Sequence, residues 1–192
     1  MQEDELFYLF KNMYNFILIL FIIFTALLFL YLIYSIIVYF RTKVPYIVTP
    51  KKYFSVIFQH LNITPQTIIY DLGCGTGDFL FAAEKYNPKK IIGFELSPLH
   101  AWYGIIKAKI LKSKANIHCQ DFLKADIREV DIIYLFLVKP VLIKAWQKIQ
   151  KEAKKGALVV VLSDEIPGAK YQKVFKSAPD RKDSTKVFIY EV

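Results

Sequence analysis

Ile68-Ile69-Tyr70-Asp71-Leu72-Gly73-Cys74-Gly75-Thr76-Gly77-Asp78-Phe79 is the stretch that decides how the chain is read. Residues 68–70 form a short apolar run suited to a buried parallel strand, and the glycines behind it let the backbone turn sharply and approach a ligand closely. Asp78 and Phe79 then open a helical pattern, so free amide N–H groups converge above the strand end. The spacing narrows the ligand. An acid at 71 precedes glycines at 73, 75 and 77. A dinucleotide fingerprint would want its third glycine at 78, where Asp stands, and a Walker A loop would end in Gly-Lys-Ser/Thr, a triplet that does not follow.

Outward from this stretch, strands and helices alternate, the signature of a parallel sheet covered on both faces. The pattern predicts strands at 67–71, 90–95, 116–120, 131–137 and 157–163, with helices at about 78–86, 98–112 and 140–154. Ser97-Pro98 is a good helix opening, an N-cap residue followed by proline. The tail differs: strand-like segments at 173–176 and 186–191 flank a polar loop at 177–184, which suits an antiparallel hairpin at the sheet edge. The expected fold class is therefore α/β, a doubly wound, mostly parallel sheet with a C-terminal antiparallel hairpin. Together with the acid and three glycines, this resembles motif I and the sheet of class I S-adenosylmethionine (SAM) methyltransferases. The resemblance implies SAM as cofactor.

In open parallel sheets ligands lie outside the carboxyl ends of the strands, near the switch point, so the residues just after each strand are the candidates. Asp71, Gly73, Cys74, Gly75 and Gly77 follow the first strand. Glu95 and Leu96 follow the second, where an acid can accept hydrogen bonds from both ribose hydroxyls. Asp121 and Phe122 follow the third, a carboxylate for an adenine amino group with an aromatic against the ring. Pro140 and Asp164 stand after the fourth and fifth strands, on the acceptor side, as candidate catalytic residues. Asp164, with Glu165, is expected either to help orient a basic acceptor or, equally, to cap the loop before Pro167-Gly168. Lys139 is expected to face solvent or lipid. The fourth strand lacks the Asn/Asp-Pro-Pro-Tyr loop typical of enzymes that methylate adenine or glutamine nitrogens, which counts against those acceptors. His60, His100 and His118 are isolated and read as surface or packing residues, and nothing in their spacing suggests a metal.

The front of the chain is of another kind. Residues 16–40 are 25 consecutive residues without a charge, long enough as a helix to cross a hydrocarbon core of about 30 Å with some tilt. A cleaved signal would have a much shorter apolar region. The expected organisation is a short segment at 1–15, a transmembrane helix at 16–40, a linker at 41–50 and a methyltransferase domain at 51–192. Arg41, Lys43, Lys51 and Lys52 just beyond the span place that domain in the cytoplasm, on a single-pass cell-membrane protein. Residues 41–192 carry 25 basic and 14 acidic residues. Because the basic residues are spread along helices, the lipid bilayer is the expected partner and nucleic acid is not. Two cysteines are too few for a disulfide framework. In the linker, Thr49 is expected to N-cap a helix opening at Pro50.

Further motifs carry a narrower resemblance: Pro45-Tyr46-Ile47-Val48-Thr49-Pro50 after the apolar segment, Gly93-Phe94-Glu95-Leu96-Ser97-Pro98, Asp121-Phe122 and Ser163-Asp164 with Ile166-Pro167-Gly168. They are similar to those of the membrane-anchored mitochondrial lysine methyltransferases that modify the ATP synthase c subunit and the adenine nucleotide translocase, and of their prokaryotic relatives. The chain departs from that pattern at Val138-Lys139 and at Cys74-Gly75-Thr76. The resemblance implies methylation of a lysine on a membrane protein. Methylation of a membrane lipid or quinone is the alternative enzyme reading, and a SAM-binding membrane protein without catalysis is the third. The sequence leaves the oligomeric state open.

Overall fold

The computed structural model describes residues 2–42, 47–179, 181 and 184–192. Residues 43–46 of the linker, with Lys43 and Pro45, lie outside the described residues, as do Asp180, Lys182 and Asp183 of the hairpin loop and the side chains of Glu3, Asp4, Glu5, Tyr39 and Arg41. The chain divides into two compact units, Met1–Lys43 and Val44–Val192.

The first unit is one helix, α1 (Gln2–Thr42). It runs without a break through residues 2–15, which contain no glycine or proline to stop it. Its Phe7–Val38 segment is long and apolar enough to cross a membrane, reaches a mean hydropathy of 3.1 and is unburied. Two hydroxyls of the span are satisfied locally: those of Thr25 and Ser35 donate to the carbonyls of Ile22 and Tyr31 at 2.9 and 2.8 Å.

The second unit begins with α2 (Lys51–Phe58). Pro50 occupies its N-cap and no side chain caps it. Thr49, expected to be that cap, turns inward instead: its hydroxyl lies 3.3 Å from the Tyr134 hydroxyl. A buried phenol needs a polar partner, whereas the first amides of an exposed helix can use water.

A seven-stranded sheet follows, in the order β3-β2-β1-β4-β5-β7-β6. Its parallel part is β1 (Ile68–Leu72), β2 (Lys90–Glu95), β3 (Asn116–Cys119), β4 (Ile132–Leu135) and β5 (Leu158–Leu162). The hairpin of β6 (Lys173–Lys176) and β7 (Lys186–Glu191) closes one edge, with β7 antiparallel to β5. The outermost strand is short and bears lysine at both ends, which discourages edge-to-edge pairing. Between the strands lie α3 (Asp78–Ala83), α4 (Pro98–Ile110) and α5 (Lys139–Glu152).

Side chains alternate across the sheet as the pleat requires. Ile69, Ile132, Tyr134 and Val160 face a core completed by Phe54 and Ile57 of α2, Leu80 of α3 and Ala101 of α4. Tyr70, Ile133, Val161 and Tyr190 face a second core against Leu142 and Ile149 of α5. Both faces are thus covered, and the carboxyl ends of five strands open on one side. The chain changes direction across the sheet between β1 and β4, so the switch point lies at the end of β1.

Candidate active site

At the end of β1 the backbone folds back on its neighbour. The amides of Gly73 and Cys74 both donate to the Phe94 carbonyl, at 2.8 and 3.0 Å, and Gly77 N–H donates to Cys74 O at 2.8 Å. Gly73 and Gly77 have φ of 96° and 84°, values an L side chain strains to adopt. Space is tight as well: a Cβ would lie 2.9 Å from Leu137 Cδ2 at Gly73 and 2.7 Å from Ile117 Cδ1 at Gly77, so those side chains would have to move.

Two more glycines, outside the motif, hold the loop down. Gly93 pairs in register with Asp71, and a Cβ there would lie 2.6 Å from Cys74 Sγ and 2.5 Å from Leu80 Cδ1. Gly104 on α4 lets that helix approach the loop, since its Cβ would lie 3.2 Å from the Thr76 carbonyl carbon and oxygen. A glycine inside an apolar strand is a sign of close approach, and Gly93 was legible in that way. Gly104 had no such signal. Cys74 itself gives its backbone to the loop and its side chain to the core, where burial, then Asp71 and Glu95, push the thiol well above the ordinary range.

Glu95 fastens the loop to the next one. Its Oε2 accepts from Gly75 N–H at 2.9 Å and its Oε1 from Ser97 N–H at 2.7 Å. Ser97 stands at the N-cap of α4 with Pro98 in the first turn; its side chain makes no capping bond, and its amide is held by Glu95. Each carboxylate oxygen can accept twice. Beyond these two amides each oxygen has capacity for one further donor. Leu96 follows with nearly half its side chain exposed (47%).

Asp71 is almost fully buried (3% exposed). Burial first, and the Glu95 charge second, raise its carboxyl well above the ordinary range. Among the described residues nothing donates a hydrogen bond to it. Burial without a donor favours the neutral, protonated form of this carboxyl. At the third strand, Asp121 Oδ1 accepts from Leu123 N–H at 2.9 Å, capping the short turn Phe122–Lys124. The Phe122 ring belongs to the second core (9% exposed), so it is a packed wall and not an open platform for a base.

On the other side of β1, Tyr134 stacks on Phe79 at 3.9 Å and 9°. Burial raises its phenol far above the ordinary value, which keeps it neutral. Lys139 and Pro140 are exposed in the first turn of α5, as Lys139 was expected to be. Asp164 is exposed just past β5, behind Ser163 with a φ of 90°. That strained residue was not foreseen and lies where strain often accompanies a site. Two of the histidines pack on aromatic rings: His60 lies 3.9 Å from the Phe175 ring and His118 stacks on Phe94. A polar hollow of about 260 Å³ among Tyr70, Asp126, Arg128 and Glu129 lies away from the glycine loop, and Glu129 bridges Lys90 at the start of β2.

The strand ends thus gather a glycine backbone cradle, an anchored carboxylate with lone pairs to spare and a buried carboxylate lacking a donor. Those groups fit SAM, which has amide-binding carboxylate and ribose oxygens and an ammonium.

Residues 71–173, just over half of the chain, match the family model described as the ANTKMT methyltransferase domain. The chain is 30% identical to a protein-lysine N-methyltransferase of Saccharolobus islandicus (strain REY15A), over 78% of this chain and 94% of that protein. It is 29% identical to the adenine nucleotide translocase lysine N-methyltransferase of Mus musculus, over 62% of this chain but only 53% of the mouse protein. In fold it matches an RNA methyltransferase from Salinibacter ruber in complex with S-adenosyl-L-homocysteine, with a TM-score of 0.69 and 20% identity, covering 76% of this chain and 94% of that one. The glycine cradle and paired carboxylates stand within the matched region, and the chain belongs to the ANTKMT methyltransferase domain family and is a SAM-dependent methyltransferase.

Proposed function

We propose that the enzyme is a membrane-tethered protein-lysine N-methyltransferase whose substrate is a membrane protein. The observation that carries the lysine acceptor is the 30% identity to a protein-lysine N-methyltransferase across 94% of that relative's length. The membrane part rests on α1, whose Phe7–Val38 segment has the length and apolarity of a span. Lys51 and Lys52, exposed at the start of α2, together with Arg41 and Lys43, support a cytoplasmic domain on the cell membrane.

In this reading SAM, when bound, supplies an electrophilic methyl group on a sulfonium sulfur. The protein's own task is positioning. The two remaining lone pairs of Glu95 hold the ribose hydroxyls, with the carboxylate itself fixed by the amides of Gly75 and Ser97. Asp71 would ionise against the methionine ammonium. Asp121 would receive the adenine amino group, with Leu96 and Phe122 beside the base. The backbone of residues 73–77 accommodates the amino-acid part without side chains in the way. A lysine acceptor must arrive neutral, and loss of water at an apolar rim lowers its pKa from about 10.4, so that its proton passes to solvent before attack. Asp164 and Pro140 frame its approach at the ends of β5 and β4, and no dedicated base is required.

The test is incubation of the full-length enzyme and labelled SAM with membranes from cells lacking it. Methyl-lysine in one membrane protein supports the reading. Label confined to lipid or quinone would replace it with the other acceptor class.

A further inference from the structure

Helix α4 is built inside out. It buries Ala101, Gly104 and Ala108, while its large apolar side chains point away from the domain. Trp102, Tyr103, Ile106 and Ile110 are 61%, 59%, 58% and 76% exposed, and Leu111 just beyond is 56% exposed. Positions 102, 103, 106 and 110 fall on one helical face. An ordinary surface helix does the reverse, and α5 of the same domain shows it: Leu142, Ala145 and Ile149 are buried, and Lys144, Gln147 and Lys151 face water. The small inner residues of α4 have a reason already given, because Gly104 admits the glycine loop. Nothing inside the domain explains the outer ones.

Charge and chain length say what covers this face. Residues 96–120 contain Lys107, Lys109, Lys112 and Lys114 and no acid. Lys107 is engaged by Asp78 at 2.6 Å, whereas Lys109 and Lys112 are exposed beside Ile106 and Ile110. Tryptophan, tyrosine and isoleucine flanked by lysine is the composition of a helix lying in the interface of an anionic bilayer. The chain is also kept close to one. Between the end of the apolar span at Val38 and the start of α2 at Lys51 there are 12 residues, which even fully extended reach only about 40 Å.

We infer that the outer face of α4 is a second membrane contact, seating the domain on anionic lipid with Trp102, Tyr103, Ile106 and Ile110 at the level of the headgroups. The inference rests on the reading of α1 as a membrane span. Its consequence is orientation: α4 starts at the end of β2, beside Glu95, so seating it fixes the height of the cofactor end above the bilayer.

Trp102 reports directly, since the only other tryptophan is Trp146 and α1 has none. The experiment uses the full chain carrying Trp146→Phe, reconstituted in vesicles of phosphatidylcholine and phosphatidylglycerol, with and without lipids brominated on the acyl chain. Trp102 emission should fall by about half or more with brominated lipid, as expected for a ring near the acyl boundary. The added pair Ile106→Glu and Ile110→Glu should abolish that quenching while leaving SAM affinity unchanged. Alkaline carbonate extraction of the same vesicles tests α1 separately. A chain that resists carbonate but shows no quenching of Trp102 overturns the inference and leaves the tether standing. Trp102 shielded from aqueous iodide yet unquenched by brominated lipid also overturns it, in favour of a protein or a second copy on this face. A chain released by carbonate refutes the tether, and the quenching measured before extraction still decides the α4 contact.

Discussion

Replacing Glu95 by alanine removes two kinds of hydrogen bond at once, and the structure separates them. Toward the protein, the Gly75 and Ser97 amides lose acceptors at 2.9 and 2.7 Å. Toward the cofactor, the proposed diol loses its charged acceptor. Losing the latter should cost about 2–4 kcal/mol, a rise in the SAM dissociation constant of about 30- to 1,000-fold. Loosening of the glycine loop adds to this and appears independently as a lower melting temperature. Glu95→Gln keeps one oxygen and sets an amide donor against one of the two backbone N–H groups, so it should fall between alanine and the parent. Titration calorimetry on folded protein, well below the melting temperature of each variant, reads the affinity. If Glu95→Ala binds SAM within about threefold of the parent, less than 1 kcal/mol, Glu95 does not hold the ribose and the reasoning fails.

Asp71 predicts a pH dependence with a definite sign. Because its folded pKa is raised, the cofactor-free protein has a stabilising contribution that is complete below the ordinary carboxylate range and lost as pH rises toward the folded value. Asp71→Asn should flatten that decline in denaturant titrations, and in calorimetry it should remove the proton release that accompanies SAM binding. An unchanged stability profile in the variant would show that burial of Asp71 is not linked to protonation. Gly93→Ala places a methyl within 2.6 Å of Cys74 Sγ and 2.5 Å of Leu80 Cδ1, so urea unfolding should show a loss of about 1–3 kcal/mol; no loss would mean that the loop and α3 can shift freely. Removing residues 1–42 should leave SAM affinity unchanged and reduce methylation of the membrane target about tenfold or more relative to a soluble peptide with the same lysine, since tethering acts through effective concentration. Equal losses on both substrates would point to damage in the domain.

Much of the fold was legible because its signals are local. The glycines after an apolar strand, the Ser97-Pro98 opening and the alternation of strand and helix each follow from short-range sterics, and the elements after residue 50 start and stop within a few residues of their predicted places, whereas α1 begins at Gln2 and not at 16. The hairpin was legible from its polar loop alone. Thr49 was misread because cap chemistry is local, whereas the Tyr134 hydroxyl that captured it lies 85 residues away. The Phe122 ring and the Cys74 side chain pack in the core, which their places after the strands do not reveal. Sequence gives the position of a residue at a strand end but not which way it turns. Gly104 and the strained Ser163 were invisible for the same reason, since each matters only for what the fold brings against it. The apolar outer face of α4 drew no reading from the sequence, because the spacing of Trp102, Tyr103, Ile106 and Ile110 does not say which side of the helix is buried, and Ala101 and Gly104 are that side.

Methyl transfer to a protein lysine at the membrane is read most directly by incubating the full-length enzyme and labelled SAM with purified membranes, followed by organic extraction and acid hydrolysis of the protein residue. Label is expected as methyl-lysine in the hydrolysate, with little in the extract. Label in extracted lipid or quinone, with none as methyl-lysine, would contradict it.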